Sequence, residues 1–188
     1  MKFSSISTII LISSLLMIAP IQCHFQPSLI ENICRTTPHY HLCVLTLKTQ
    51  QIVIHDMASC ARVILKVMIA RAPVVLERIQ TVLAAANNEP QLKTAMDSCS
   101  NFYTQITKEL LPKALSCMEK GDYKGAQQGA DAAGKLAASC ASKCNNKTGG
   151  SAGATSPLGD SNLYVQNMCS ITVSITKQLG QTQANHQN

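Results

Sequence analysis

The chain of 188 residues has no tryptophan, three phenylalanines and four tyrosines. Aromatic platforms on which nucleobases could stack are therefore missing. Charge is sparse too, with 16 basic and 10 acidic residues for a formal net charge of +6. The basic residues are scattered, with no run of five or more, so no basic face for nucleic-acid phosphates is evident. Catalytic signatures are absent: there is no Gly-x-Ser-x-Gly elbow, His-Glu-x-x-His pair or phosphate loop. The five histidines do not cluster: His39 and His41 flank Tyr40, and His55 adjoins Asp56, neighbours that do not face each other on a helix. The reading is thus a non-enzyme with no catalytic residues, cofactor or metal. Beyond the N-terminus no stretch is long and apolar enough to span a membrane.

The first two dozen residues read as an export signal. Lys2 is a short basic start, Ile9 to Ala19 an apolar core broken by Ser13 and Ser14, and polar residues resume at Gln22. The expected boundary is 1–23, near Cys23. Loss of Lys2 leaves +5, a mild positive balance suited to an acidic partner. Eight cysteines then remain: Cys34, Cys43, Cys60, Cys99, Cys117, Cys140, Cys144 and Cys169. An even number behind an export signal reads as disulfides. Asn146-Lys147-Thr148 is a glycosylation sequon that fits the same compartment.

The apolar content is Ala, Leu, Ile, Val and Met, a helix-forming mixture. Residues 24–50 read as two short helices around a turn at Pro38. Helical periodicity follows from about Ile52 to Ala86, with Val53, Met57, Ile64, Val67 and Met68 on one face and a kink or break expected at Pro73. A third segment runs from Gln91 to Lys120, where Pro112 introduces a bend. Gly121 stops it, and Asp122 caps the next helix, whose inward positions are Ala126, Ala130, Ala133 and Ala137. A polar loop, 145–160, leads to a last helix from about Ser161 to Leu179 with Leu163, Val165, Met168, Ile171, Val173 and Ile175 as apolar positions. The expected fold is all-α: an N-terminal helical hairpin (24–50), an antiparallel four-helix bundle (51–180) and a disordered tail (181–188).

In antiparallel helices, residues equidistant from a turn stand level. Cys99 and Cys140 are centred near Gly121, and Cys60 and Cys117 near the Asn87 to Pro90 turn. Cys144 and Cys169 then pair across the long loop, and Cys34 and Cys43 close the hairpin. The Cys140-x-x-x-Cys144 spacing also resembles half a metal site, but an exported chain rich in cysteine favours bridges. A lipid carrier would be shorter and show Cys-Cys and Cys-x-Cys, both lacking here.

Cys34-Arg-Thr-Thr-Pro-His-Tyr-His-Leu-Cys43 closely resembles the opening signature of the plant invertase and pectin methylesterase inhibitor family. Cys99-Ser-Asn-Phe-Tyr103, Leu111-Pro112-x-Ala114, Lys120-Gly-Asp-Tyr-Lys124, Cys140 and Ser156-Pro157-Leu158 follow in the same order. The resemblance implies a hairpin on a four-helix bundle, with bridges Cys34–Cys43 and Cys99–Cys140. It also implies a monomer that occludes an enzyme's active site, in the cell wall or vacuole. Cys60, Cys117, Cys144 and Cys169 depart from the two-bridge pattern and are read as added staples, or as ligation to a partner. Invertase inhibitors of the family carry Pro-Lys-Phe just after the turn between the two disulfide-linked helices. The matching positions are Tyr123-Lys124-Gly125, so only Lys124 carries over. The esterase branch commonly has Thr before the fourth family cysteine, where Ser139 stands. The implied partner-binding residues are Asp122, Tyr123, Lys124 and Ser139. The Thr37-Pro38-x-Tyr40-x-Leu42 pattern lies closer to the invertase branch, so the expected target is an acid invertase (β-fructofuranosidase). The alternatives are a pectin methylesterase, or a structural or signalling role without inhibition.

Overall fold

A computed structural model of the chain describes residues 27–86, 88–145 and 158–185. The export-signal reading of 1–23, the Asn146 sequon and Ser156-Pro157 lie outside the described residues.

The hairpin consists of α1 (Pro27–Arg35) and α2 (Tyr40–Thr49). Its turn is tied by Thr37, whose amide and hydroxyl both donate to the Cys34 carbonyl at 3.0 and 2.8 Å. Cys34 and Cys43 are bridged across it with their Cα atoms 5.6 Å apart. Ile30, Ile33 and Leu47 turn inward.

Helix α3 spans Met57–Ala85. It starts later than the apolar periodicity suggests, because Asp56 caps it: the Ser59 amide donates to Asp56 Oδ1 at 2.6 Å and the Asp56 amide to Ser59 Oγ at 3.0 Å. This reciprocal arrangement satisfies two amides at once and fixes the helix start. Ile52, the expected start of the helix, and Val53, expected among its apolar positions, lie before it and are exposed. No break occurs at Pro73, which sits inside the continuous helix. Leu65, Met68, Ala72, Val75 and Ile79 are buried on either side of it. That continuous burial outweighs the roughly 3 kcal/mol an interior proline costs.

Helix α4 (Pro90–Gln105) opens with proline at its start, where no amide partner is needed. It passes through a π turn, Ile106–Leu110, into α5 (Leu111–Glu119). The Leu111 amide donates to the Ile106 carbonyl, five residues back. The ladder thus slips by one residue just before Pro112, which has no amide to donate. At the end of α5 the amides of Gly121 and Asp122 donate to the Met118 and Cys117 carbonyls at 3.3 and 2.9 Å. This is a Schellman closure, and Gly121 takes the φ of +75° it requires. Asp122 then caps α6 (Tyr123–Asn145) by accepting from the Gly125 amide at 2.8 Å. Ala126, Ala130, Ala133 and Ala137 are all fully buried, as their spacing indicates.

Helix α7 runs from Gly159–Asn185, so residues 181–185 are helical where a disordered tail is expected. Leu163 is exposed, whereas Val165, Met168, Ile171 and Ile175 are buried. Four rods, α3, α4 with α5, α6 and α7, enclose a core centred on Ile64, Met68, Met96, Tyr103, Ile106, Leu111, Met118 and Met168. The core's buried threonines, Thr172 and Thr176, return their hydroxyls to helix carbonyls four residues back.

The Cys99–Cys140 bridge is present, with a Cα separation of 4.9 Å. The Cys60–Cys117 and Cys144–Cys169 pairs expected from the midpoint rule are not joined. Equal height does not ensure facing. The π turn adds a residue to the rod carrying Cys117, and its sulfur lies beside Asp122 and Gly125 at the start of α6. For the other pair even the height fails. Asn162 meets Cys140, and Cys169 meets Gly134, which places Cys144 level with residue 158 or 159. Cys169 lies about 16 Å farther along α7. The two helices stand level about residue 151, some five residues short of this pair's midpoint.

Candidate partner-binding site

The α5–α6 corner gathers three of the residues singled out in the sequence. Asp122 is exposed but occupied, its carboxylate holding the first turn of α6. Tyr123 is half-buried against the core, so its ring is packing rather than a projecting anchor. Lys124 is exposed and makes no ion pair among the described residues. The chain therefore presents a cation at the positive end of a helix dipole, with Lys113 and Lys120 exposed on the same corner beside Cys117.

Position 125 explains a departure from the Pro-Lys-Phe pattern. A Cβ placed on Gly125 collides with the Asp122 carboxylate and stands 2.8 Å from Cys117 Sγ. The cap and the thiol fill the space that a side chain here would need. The Cys117 thiol is raised above its usual range, by burial first and then by its hydrogen bond to Asp122.

Ser139 is not part of this corner. It lies fifteen residues farther along α6, about 22 Å away. Its hydroxyl donates to the Lys135 carbonyl at 2.9 Å, and it is exposed. Lys135 in turn pairs with Asp131 at 2.6 Å. Lys124, Gln128, Asp131, Lys135 and Ser139 form one exposed stripe of α6, so the two sets of residues share a face but not a contact patch. Next to that stripe lies a cleft of about 460 Å³ lined by His39, Asp131, Lys135, Gln166, Asn167 and Ser170, among others. Sequence reasoning missed this cleft, because it forms only where the hairpin turn meets α6 and α7.

Asn162 also escaped the sequence reading. It is fully buried, accepts from the Tyr103 hydroxyl at 2.8 Å and donates to Cys140 Sγ at 3.4 Å. A polar residue beside a Ser/Asn/Asp-rich loop gives no sign that it faces the core. The half metal site suggested by Cys140 and Cys144 is not an open ligand set. Cys99, Cys140 and Cys144 do cluster, but two of them are consumed by the bridge.

These features define a class of protein: a disulfide-closed helical hairpin seated on an antiparallel four-helix bundle, with a second bridge joining two rods. Two solved structures of pectin methylesterase inhibitors from Arabidopsis share its fold. One, a mutant form, aligns with a TM-score of 0.68 at 22% identity over 79% of this chain and 95% of its own. The other aligns with a TM-score of 0.59 at 23% identity over 80% and 95%. The family model of plant invertase/pectin methylesterase inhibitors matches residues 28–175, and the chain belongs to that family, one of inhibitor proteins. It is also 29% identical over 97 residues to the cell wall / vacuolar inhibitor of fructosidase 1 of Arabidopsis thaliana, covering 51% of this chain and 46% of that protein. The match thus spans about half the length of that curated relative. No helix among the described residues is long and apolar enough to cross a membrane.

Proposed function

We propose that this chain is a secreted, monomeric inhibitor of a plant acid invertase, acting in the cell wall or vacuole by occluding the enzyme's sugar-binding cleft. The observation that carries the reading is the exposed, unengaged Lys124 on the first turn of α6, next to the rigid Gly121–Asp122 junction. A cation held there can enter an acidic hydrolase pocket with little backbone ordering cost, because the Schellman closure and the Asp122 cap already fix its backbone. The relative named as an inhibitor of fructosidase supports the same target. The export-signal pattern of 1–23 and the sequon at Asn146 agree with passage through the secretory route.

The second reading, inhibition of a pectin methylesterase, is favoured by the resemblance of the fold to two inhibitors of that enzyme. Ser139 and the α6 stripe would then form part of the contact.

The test is a paired titration of oxidised, signal-free protein against both enzymes at mildly acid pH. Inhibition of invertase alone supports the first reading, and inhibition of the esterase alone the second. Inhibition of neither moves the chain to a structural or signalling role. Lys124→Glu is expected to raise the invertase inhibition constant on the order of tenfold to a hundredfold, since it reverses the central charge. An unchanged constant in a folded variant removes Lys124 from the interface.

A further inference from the structure

Where the hairpin turn meets α6 and α7, the cleft of about 460 Å³ combines a floor of small residues with a polar wall. Gly134 and Ala138 stand one turn apart on α6, and a Cβ placed on Gly134 would lie 3.0 Å from the Cys169 Cβ. The two helices therefore approach closely below the cleft. On α7, Asn167, Ser170 and Ser174 follow one another at the spacing of a single helical stripe, beside Gln166. The hairpin turn adds His39. That turn is itself held by the Cys34–Cys43 bridge and by the two Thr37 bonds to the Cys34 carbonyl.

The polar groups of this wall differ in whether they are already engaged. Asp131 and Lys135 are paired with each other at 2.6 Å, and the Ser170 hydroxyl donates to the Asn167 carbonyl at 2.9 Å. The side chains of His39, Gln166, Asn167 and Ser174 hydrogen-bond to no other described residue. The two amides and the serine hydroxyl each both donate and accept. A ligand rich in hydroxyls matches such a set, because every hydroxyl also does both. A carboxylate or phosphate only accepts, and the lysine on this wall already has its counter-charge. Among the described residues no phenylalanine or tyrosine lines the cleft, so a flat aromatic ligand finds no stacking surface. The volume falls within the roughly 300–1,000 Å³ of small-molecule sites.

We propose that this cleft binds a neutral mono- or disaccharide, held by Gln166, Asn167 and Ser174 of α7 and by His39 of the hairpin. Such a ligand touches the hairpin and the bundle at once. Their junction otherwise rests on few polar contacts, such as Gln178 Nε2 to Thr36 Oγ1 at 2.8 Å. A ligand that binds only the docked hairpin opposes its opening, so saccharide binding and hairpin docking are coupled. Affinity is modest, with a dissociation constant on the order of 1–10 mM, because no aromatic face adds stacking. The inference does not depend on which enzyme the chain inhibits.

The probe is sucrose, titrated to about 100 mM into oxidised, signal-free, isotope-labelled protein at neutral pH. Backbone amide shifts are expected to saturate and to cluster at 38–39, 134–138 and 166–174. Slower hydrogen exchange in α1 and α2 should accompany them. Gln166→Ala with Asn167→Ala is expected to weaken binding about tenfold or more. Shifts that stay linear throughout, or that spread evenly over the surface, overturn the site. Unchanged saturation in the folded double variant overturns it equally. Galacturonate serves as the charged comparator and is expected to bind about tenfold more weakly than sucrose. Equal or tighter binding of galacturonate overturns the neutral class of ligand. If the double variant does not fold, the wild-type titrations still decide.

Discussion

Cys60, Cys169 and Cys117 differ in what surrounds their sulfur, and the difference fixes their chemistry. Cys60 is fully buried at the start of α3, and burial, with the Asp56 charge second, pushes its thiol up to about 12. Cys169 lies 3.7 Å from Met68 Sδ, and burial, with Asp131 second, likewise pushes it up to about 12. Cys117 is partly exposed. Since only the thiolate reacts, a thiol reagent at pH 8 is expected to label Cys117 first and to reach Cys60 and Cys169 only on unfolding. Equal labelling rates for the three would contradict this burial pattern. For Cys60 and Cys169 the folded-state value is raised above the ordinary 9.0. Their contribution to stability is therefore complete below pH 9 and declines as pH rises toward about 12. The same scale explains why the aromatic of the Pro-Lys-Phe pattern is absent. Gly125→Phe is expected to lower stability by about 1–3 kcal/mol, because the new Cβ displaces the Asp122 cap and crowds the Cys117 sulfur. Adding Cys117→Ala should recover part of that loss, and urea midpoints of the single and double variants measure it. If the double variant is no more stable than Gly125→Phe alone, the crowding lies elsewhere.

Helical elements whose ends are written in side chains were legible in the sequence. Gly121 and Asp122 mark a stop and a start, and the four inward alanines of α6 show its buried face by spacing alone. Elements decided by competition were not. Pro73 carries a local signal for interruption, yet α3 continues because Ala72 and Val75 are buried on either side of it. The proline itself is exposed and leaves the Ile69 carbonyl without its helical donor. Pro73→Ala is therefore expected to stabilise the protein by about 1–3 kcal/mol, read as a higher thermal midpoint. A lower midpoint would mean that the rod has been shaped around the proline. The π turn had no sequence signal beyond Pro112, since a one-residue slip of the ladder leaves hydrophobic spacing almost intact. That slip is one reason why Cys117 does not face Cys60, although the two are equidistant from the turn. The candidate site divides in the same way. Lys124 could be placed from the turn residues before it, whereas the separation of Ser139 from it emerges only with the length of α6.

At the scale of the whole molecule the two bridges do different work, because they close loops of different kinds. Cys34–Cys43 spans 9 residues and Cys99–Cys140 spans 41. Chain entropy assigns them about 3 and about 4 kcal/mol respectively. The first is local to a hairpin that meets the bundle through few polar contacts, among them Gln178 Nε2 to Thr36 Oγ1 at 2.8 Å and Thr46 Oγ1 to Met168 Sδ at 3.6 Å. Cys34→Ser with Cys43→Ser should therefore open α1 and α2 while α3 to α7 stay folded. Faster amide exchange confined to residues 27–49 is the expected signature. The second bridge joins two rods of one core, so its loss should lower the stability of every rod together. It is removed as Cys99→Ser with Cys140→Ser, so that neither sulfur of the bridge remains. A cooperative drop of about 4 kcal/mol in that double variant would place the bridge in the global folding unit. Exchange confined to the ends of α4 and α6 would instead make it a local clasp.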